Sequence, residues 1–488
     1  MTNAVTGSPE QPRALWVAGK PVQGLETVVV TQPFDGRVVG AVTNASSEQI
    51  EEAVQAAVSA QQELAALPAY RRAEALEHVQ RRLAERREEL AELITAEAGK
   101  PLKWSRIEVD RAVNVFRLAA EEARRFDPKV QRLDDSAAGD GRLALIRRVP
   151  RGPVLAVCPF NLPLTLVAHK VAPALAVGAP VVVKPAPATP LSALVLGDLL
   201  AETELPAGSW SVIAVPNDRM TALVADPRLP VVSFTGSGPV GRSILRAVPD
   251  KHVTLELGGN AAAVVLDDWN SPEDLDYAAE RIATFAHYQG GQACIGVQRV
   301  LATDAVYERL LERVVARTRA LRKGDPRDDA VDVGPVINDA AAARIEKWVA
   351  DAARAGARVL TGGGRRDAVV EPTVLSGVPS GAKVWDEEVF GPVVSVRRVE
   401  DEDEAFAVVN DSRFGLQAGV FTHNLQTAFR AHVELEVGGV IIGDVPTYRT
   451  DSMPYGGTKE SGIGREGVRW AMDDFTYERV MVLSGLTL

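Results

Sequence analysis

Of the two cysteines in this 488-residue chain, one stands where a reactive thiol would be useful. Cys294 closes the run Gly290-Gly291-Gln292-Ala293-Cys294, in which paired glycines break the end of a long helical stretch. Glycine lets the backbone approach a ligand closely and adopt positive φ, and a thiolate is a strong nucleophile. The position also suits a small buried hydrophobe, the common fate of a free cysteine. Upstream, Glu256 lies in the strand-like run Thr254-Leu255-Glu256-Leu257, just before Gly258 and Gly259. A carboxylate in an apolar run is costly unless paired or functional. Desolvation would raise its pKa and fit it for general-base work. The solvated face of an edge strand is the alternative.

Weaker signals lie nearby. Gly236-Ser237-Gly238-Pro239-Val240-Gly241 is a literal GxGxxG, and Glu256 follows Gly236 by 20 residues, the spacing of a ribose-binding acid. Against that reading, Pro239 falls where a helix should begin, and Glu256 precedes paired glycines as if at a strand end facing a site. A helix N-terminus near phosphate is still sensible. Lys184 ends the apolar strand of VVVKPA. It suits ribose hydroxyls or phosphate, or else snorkels to the surface. Asn161, after Pro159-Phe160, is either an oxyanion donor or the cap of the helix that follows. Cys158 reads as core packing.

These residues need a scaffold, and the patterning of the chain supplies one. Composition is ordinary for a globular protein, 46% hydrophobic and 24% charged. The length exceeds one hydrophobic core, so two or three domains are expected. From Val154, β-branched runs (VLAVCPF, PVVVKP, WSVIAV, VVSFTG) alternate with helical segments. That pattern means right-handed crossovers and a parallel sheet covered on both faces. Ligands bind at the carboxyl ends of such strands, which here carry Pro159-Phe160-Asn161, Lys184-Pro185 and Thr235-Gly236-Ser237. A second alternating region, from about 261 to 440, reads as another α/β domain. The first third is helical. Ser46 and Gln49 have capping-box spacing, one helix carries Leu76, Val79, Leu83 and Leu90, and another runs from about Ile107 to Arg125. The tail after Met472 has little room for a core of its own. Its run ERVMVLSGLTL is expected to add to a sheet in a neighbouring subunit, beside 126–148.

A net charge of −11 repels nucleic-acid phosphates and anionic lipid, so neither is expected as a partner. Two cysteines exclude a disulfide framework and a four-thiolate metal site, and no metal is expected. With no apolar run of about 18–20 residues and no signal-peptide pattern, a cytoplasmic location is expected.

Taken together, EAGKP at 97–101, PFN at 159–161, KP at 184–185, FTGS at 234–237, LELGGN at 255–260, GGQACI at 290–295, EEVFGP at 387–392 and PYGGTKESGIGREG at 454–467 form an ordered set. In it the chain resembles the aldehyde dehydrogenase superfamily over essentially its full length. It looks closest to the lactaldehyde, phosphonate-aldehyde and non-phosphorylating glyceraldehyde-3-phosphate group. The resemblance implies NAD or NADP as cofactor and a covalent route from aldehyde to acid. Cys294 would attack the aldehyde to form a thiohemiacetal, with its oxyanion held by Asn161 and the Cys294 N–H. Loss of hydride to the nicotinamide would leave a thioester, and Glu256 would activate water to hydrolyse it. Lys184 and Glu388 would hold cofactor riboses, Gly236 and Ser237 would face the pyrophosphate, and Phe160 and Phe390 would line the cofactor site. Residues 1–125 and 149–258 would form a Rossmann-like NAD(P)-binding domain and 259–458 a second α/β catalytic domain. Segments 126–148 and 472–488 would form a small β oligomerisation extension in a homodimer or homotetramer.

Three departures from the family pattern matter. Pro187 stands where an acid often bonds the adenosine 2′-hydroxyl, which puts strict NAD use in doubt. Gly443 replaces an Asn that braces the catalytic loop in many relatives. Ala293 stands where the glyceraldehyde-3-phosphate enzymes carry an arginine. Arg111 and Arg449 match arginines that hold a substrate phosphate in those relatives, so the expected substrate is a small anionic aldehyde; otherwise Arg111 faces water and Arg449 bonds its own loop. The rival readings are a CoA-acylating dehydrogenase, opposed by the presence of Glu256, and a catalytically retired relative, opposed by the presence of both Cys294 and Glu256.

Overall fold

The computed structural model describes residues 3–126 and 128–487. Met1, Thr2, Asp127 and Leu488, which fall within the segments assigned above, lie outside the described residues. Two large sheets organise the chain. The first has eight strands, in the order Lys20–Val22, Leu15–Val17, Trp210–Val212, Val181–Lys184, Val154–Val157, Val231–Thr235, His252–Glu256 and Gly462–Ile463. Its five central strands are parallel. Chain order runs outward in both directions from Val154–Val157, which lies between Val181–Lys184 and Val231–Thr235. Such a reversal opens a crevice at the carboxyl ends of the two diverging strands. The antiparallel strand Gly462–Ile463 returns from the far end of the chain to pair with Leu255 and Glu256.

The second sheet has seven strands, with Arg299–Thr303 and Ala262–Val265 near its middle. Ala262 and Val264 face one apolar cluster, while Ala263 and Val265 face another. That alternation is the period of a strand covered on both faces, which is why the sequence reads as unbroken apolar runs.

Several helix expectations need adjustment. The capping box at Ser46 and Gln49 forms and starts the helix Ser47–Ala66. The second expected helix is two, Ala69–Glu85 and Arg87–Ala98, meeting at Arg86. Periodicity carries no sign of that break because both halves bury the same stripe. Pro239 does not obstruct a helix: it occupies the first turn of Gly238–Ala247, where its missing N–H has no intrahelical role. The tail strand Thr476–Leu483 pairs in full register with Leu143–Pro150 of its own chain. Together with Lys129–Arg132 it makes a three-stranded antiparallel sheet.

Candidate active site

A cleft of about 820 Å³ opens where the strand order reverses. Cys158, Phe160 and Asn161 line it from the end of one strand, Lys184 and Pro187 from a second, and Gly236 and Ser237 from a third. Glu256, Cys294, Glu388 and Phe390 complete the wall.

Cys294 arrives by an unusual turn. The helix Pro272–His287 ends, and Gln289, Gly290 and Gly291 then take φ of 44°, 71° and 70°. Gly291 has no room for a side chain, since a Cβ there would stand 2.0 Å from the Gly391 carbonyl oxygen. The glycine therefore lets the Cys294 loop lie directly on the Phe390 loop. The carbonyl of Gln292 accepts from Asn161 Nδ2 at 2.9 Å and from Gln289 Nε2 at 2.8 Å. Asn161 does not cap the helix Thr165–Val177. That role falls to Glu108, which accepts from the N–H groups of Leu164 and Thr165 at 2.9 and 3.2 Å. An amide nitrogen carries two hydrogens, so Asn161 keeps one for the cleft. Cys294 is partly exposed, with Sγ 2.8 Å from the hydroxyl of Tyr455. Burial pushes its thiol up to about 11, opposed by the Tyr455 hydrogen bond and the charge of Arg449.

Glu256 ends its strand with a side chain only 2% exposed, and neither oxygen has a hydrogen-bond partner among the described residues. Desolvation, then the charge of Glu466, raises its pKa well above the usual carboxylate range. Gly456 makes space for it, because a Cβ there would lie 2.9 Å from Glu256 Oε1.

Whether these residues fit a dinucleotide is tested by the groups left over. The Lys184 ammonium is nearly buried and has no hydrogen-bond partner among the described residues. Its pKa is lowered by desolvation. Ser237 precedes the helix Gly238–Ala247 without capping it, and is exposed beside free N–H groups, an arrangement suited to phosphate. Glu388 Oε1 accepts from the Gly259 N–H at 3.2 Å, and burial pushes this carboxyl up to about 7. Phe160 and Phe390 meet edge to face with centroids 5.8 Å apart. A cation, a hydroxyl at a helix N-terminus and a carboxylate along one cleft match the riboses and pyrophosphate of NAD or NADP.

Arg111 and Arg449 are both paired, and neither lines the cleft. Arg111 meets Asp451 at 2.9 Å, and Asp451 also accepts from Asn114 at 2.9 Å and contacts His169 Nε2 at 3.1 Å. Arg449 is buried, reaches Glu466 at 3.3 Å, and keeps an Nε with no acceptor among the described residues. Sequence reasoning missed four participants. Lys170 and Glu466 form a buried pair at 2.8 Å, and Arg344 lines the cleft beside Glu388. A signal for Lys170 existed, a lone cation inside the apolar helix run LTLVAHKVAPAL. The fourth is Tyr455, quoted above within PYGG but given no role.

The family model for the aldehyde dehydrogenase family matches residues 16–481, and the chain belongs to that family. It is a dehydrogenase that oxidises an aldehyde with NAD or NADP. Among its relatives is the 3-sulfolactaldehyde dehydrogenase of Priestia aryabhattai, 40% identical over 85% of this chain and 86% of that protein. Aldehyde dehydrogenase 21 from Physcomitrella patens, solved in complex with the reaction product succinate, superposes with a TM-score of 0.95. It is 43% identical and the match covers 97% of this chain and 99% of that one. The NADP-dependent glyceraldehyde-3-phosphate dehydrogenase of Bacillus halodurans C-125, complexed with NADP, gives 0.93 at 34% identity, covering 97% and 99%. No helix among the described residues is long and apolar enough to cross a membrane.

Proposed function

We propose that Cys294 is the nucleophile, Asn161 and the Cys294 N–H hold the oxyanion, and Glu256 is the base for hydrolysis, acting on a small anionic aldehyde. The observation that carries this is the convergence of a partly exposed thiol, an amide with a spare N–H and an unpartnered carboxylate on one cleft. Attack by the Cys294 sulfur on the carbonyl carbon gives a thiohemiacetal whose oxyanion accepts from Asn161 Nδ2. NAD or NADP in this cleft would supply the hydride acceptor for oxidation of the Cys294 adduct to a thioester. Glu256, with no partner to hold it charged, takes a proton from water as the water attacks the acyl carbon. Cys294 leaves as a thiolate. Lys184 and Glu388 would hold the riboses, Gly236 and Ser237 the pyrophosphate, and Phe160 and Phe390 would line the cofactor site.

The anionic substrate rests on Arg111 and Arg449. Arg449 retains an Nε–H without an acceptor, and arginine's planar fork suits carboxylate or sulfonate oxygens. A relative named for sulfolactaldehyde and a neighbour holding succinate support the same class. Pro187 places neither charge nor acceptor at the 2′-position, so NADP is tolerated beside NAD. In this reading residues 1–125 and 149–258 serve the cofactor, 259–458 the thiol, and 126–148 with 472–488 assembly, with Gly462–Ile463 returning to the cofactor sheet. Val480, Met481, Val482 and Leu483 are exposed on an edge strand, which supports a homodimer or homotetramer.

The test follows reduced-cofactor absorbance with a panel of aldehydes. Cys294→Ala abolishes turnover and Cys158→Ala does not. Succinate semialdehyde outruns a neutral aldehyde of equal length, and Arg449→Ala removes the difference. Turnover retained by Cys294→Ala, or a preference for hexanal untouched by Arg449→Ala, overturns the corresponding half of the proposal.

A further inference from the structure

Tyr455 is a polar side chain, 2% exposed, in the wall behind the thiol. Its hydroxyl lies 2.8 Å from Cys294 Sγ. The ring face is also engaged, with the Arg449 guanidinium 3.6 Å from the ring centroid. Ile295 and Leu416 pack against Tyr455 in a small apolar cluster that Cys294 joins. The hydroxyl therefore has little freedom to turn elsewhere, and the sulfur is its hydrogen-bond partner.

The geometry points to Tyr455 as the residue that holds Cys294 as a thiolate before the aldehyde arrives, with Arg449 stacked on the phenol ring to support it. This rests on the reading of Cys294 as nucleophile and adds a residue to it. Either atom can donate while the sulfur keeps its proton. Once that proton has left to cleft water, the phenol O–H is the one donor between the two atoms, and it donates to sulfur. A hydrogen bond made to the charged form favours that form. A guanidinium over the ring draws electron density from the phenol and makes it a better donor. The charged and titratable groups facing this pair are Arg449 on the favourable side and Glu256 and Glu388 on the unfavourable side, with Tyr288 neutral beside Cys294. Two carboxyl groups near the thiol oppose its ionisation, and the Tyr455 hydroxyl is the donor in contact with the sulfur. Phenylalanine would fill the same volume and supply no such bond.

The experiment is alkylation of Cys294 by iodoacetamide across pH, with the modified residue identified by mass spectrometry and turnover read in parallel. In wild type, modification of Cys294 abolishes turnover. In Tyr455→Phe the midpoint of the alkylation profile moves up by about one pH unit, about tenfold less thiolate at pH 7. Site-specific 3-fluorotyrosine at position 455, a stronger acid and a stronger donor, moves it down. These two shifts, opposite in sign, do not arise from a packing role, because both replacements keep the ring. If modification of Cys294 abolishes turnover but both variants titrate like wild type, the role of Tyr455 is overturned and the nucleophile stands. If wild type stays active with Cys294 fully alkylated, the nucleophile falls and the inference falls with it.

Discussion

Glu256 and Glu466 are each 2% exposed and lie close enough to feel one another's charge, yet they are in opposite states. Glu466 accepts from Lys170 at 2.8 Å and Thr235 at 3.0 Å, with Arg449 at 3.3 Å. These partners outweigh its burial and hold it well below the usual carboxylate range. Glu256 has no partner and is pushed the other way, partly by the anion next to it. Burial alone therefore does not decide what a carboxylate does; the partners decide. Glu466 is a fixed charge of the framework. Glu256 has no partner to hold it charged.

The strongest way to break this contrast is to neutralise each carboxylate without changing its shape. Glu256→Gln loses about two to four orders of magnitude in steady-state turnover, with no loss of stability, since no partner is stranded. Turnover near wild type would remove Glu256 from the reaction. Glu466→Gln leaves Lys170 and Arg449 buried without their countercharge and destabilises the protein by about 3–5 kcal/mol. Chemical denaturation reads this, and an unchanged midpoint would mean that Lys170 and Arg449 are satisfied by other groups.

Acid titration sharpens the same comparison through its sign. The folded pKa of Glu466 lies below its unfolded value of about 4.3. Its stabilisation is therefore present above that pH and is lost as pH falls toward the folded value. The folded pKa of Glu256 lies above the unfolded value. Its contribution is thus a penalty, absent below about pH 4.3, growing as pH rises toward the folded pKa, and constant beyond it. Denaturation of both variants and wild type at pH 4 and pH 7 should show Glu256→Gln gaining on wild type as pH rises. The deficit of Glu466→Gln is full at pH 7 and smaller at pH 4. The same trend in both variants would contradict the opposite assignments. Turnover limited by hydrolysis should likewise rise with pH beyond the ordinary carboxylate range.

Much of this was legible in the chain. The apolar runs ending at Val157, Lys184 and Thr235 announce parallel strands, and the residues just past each end are those that line the cleft. Cys294 and Glu256 stood out because each breaks its local pattern. Glu466 and Tyr455 did not, because their meaning depends on partners far away in sequence. Glu466 meets Lys170 across 296 residues and Tyr455 meets Cys294 across 161. The division of Ala69–Ala98 into two helices was hidden for a different reason, since one apolar stripe continues through the break at Arg86.

The mildest test lies at the adenosine end, where partners are again the issue. Pro187 is exposed and has neither charge nor side-chain acceptor. NAD+ and NADP+ should therefore differ by less than about a thousandfold in kcat/KM, or about 4 kcal/mol. A larger preference for NAD+ would require another residue to reject the 2′-phosphate.

The central claim, that Cys294 carries the acyl group and Glu256 releases it, is tested most directly in Glu256→Gln. Enzyme is mixed with NADP+ and succinate semialdehyde, and reduced cofactor is followed from the first turnover while intact mass is read in parallel. The account predicts a burst of about one equivalent of reduced cofactor per active site. It also predicts an acyl adduct on Cys294 that persists while steady-state turnover stays low. Slow cofactor reduction from the outset with no adduct on Cys294 would contradict it.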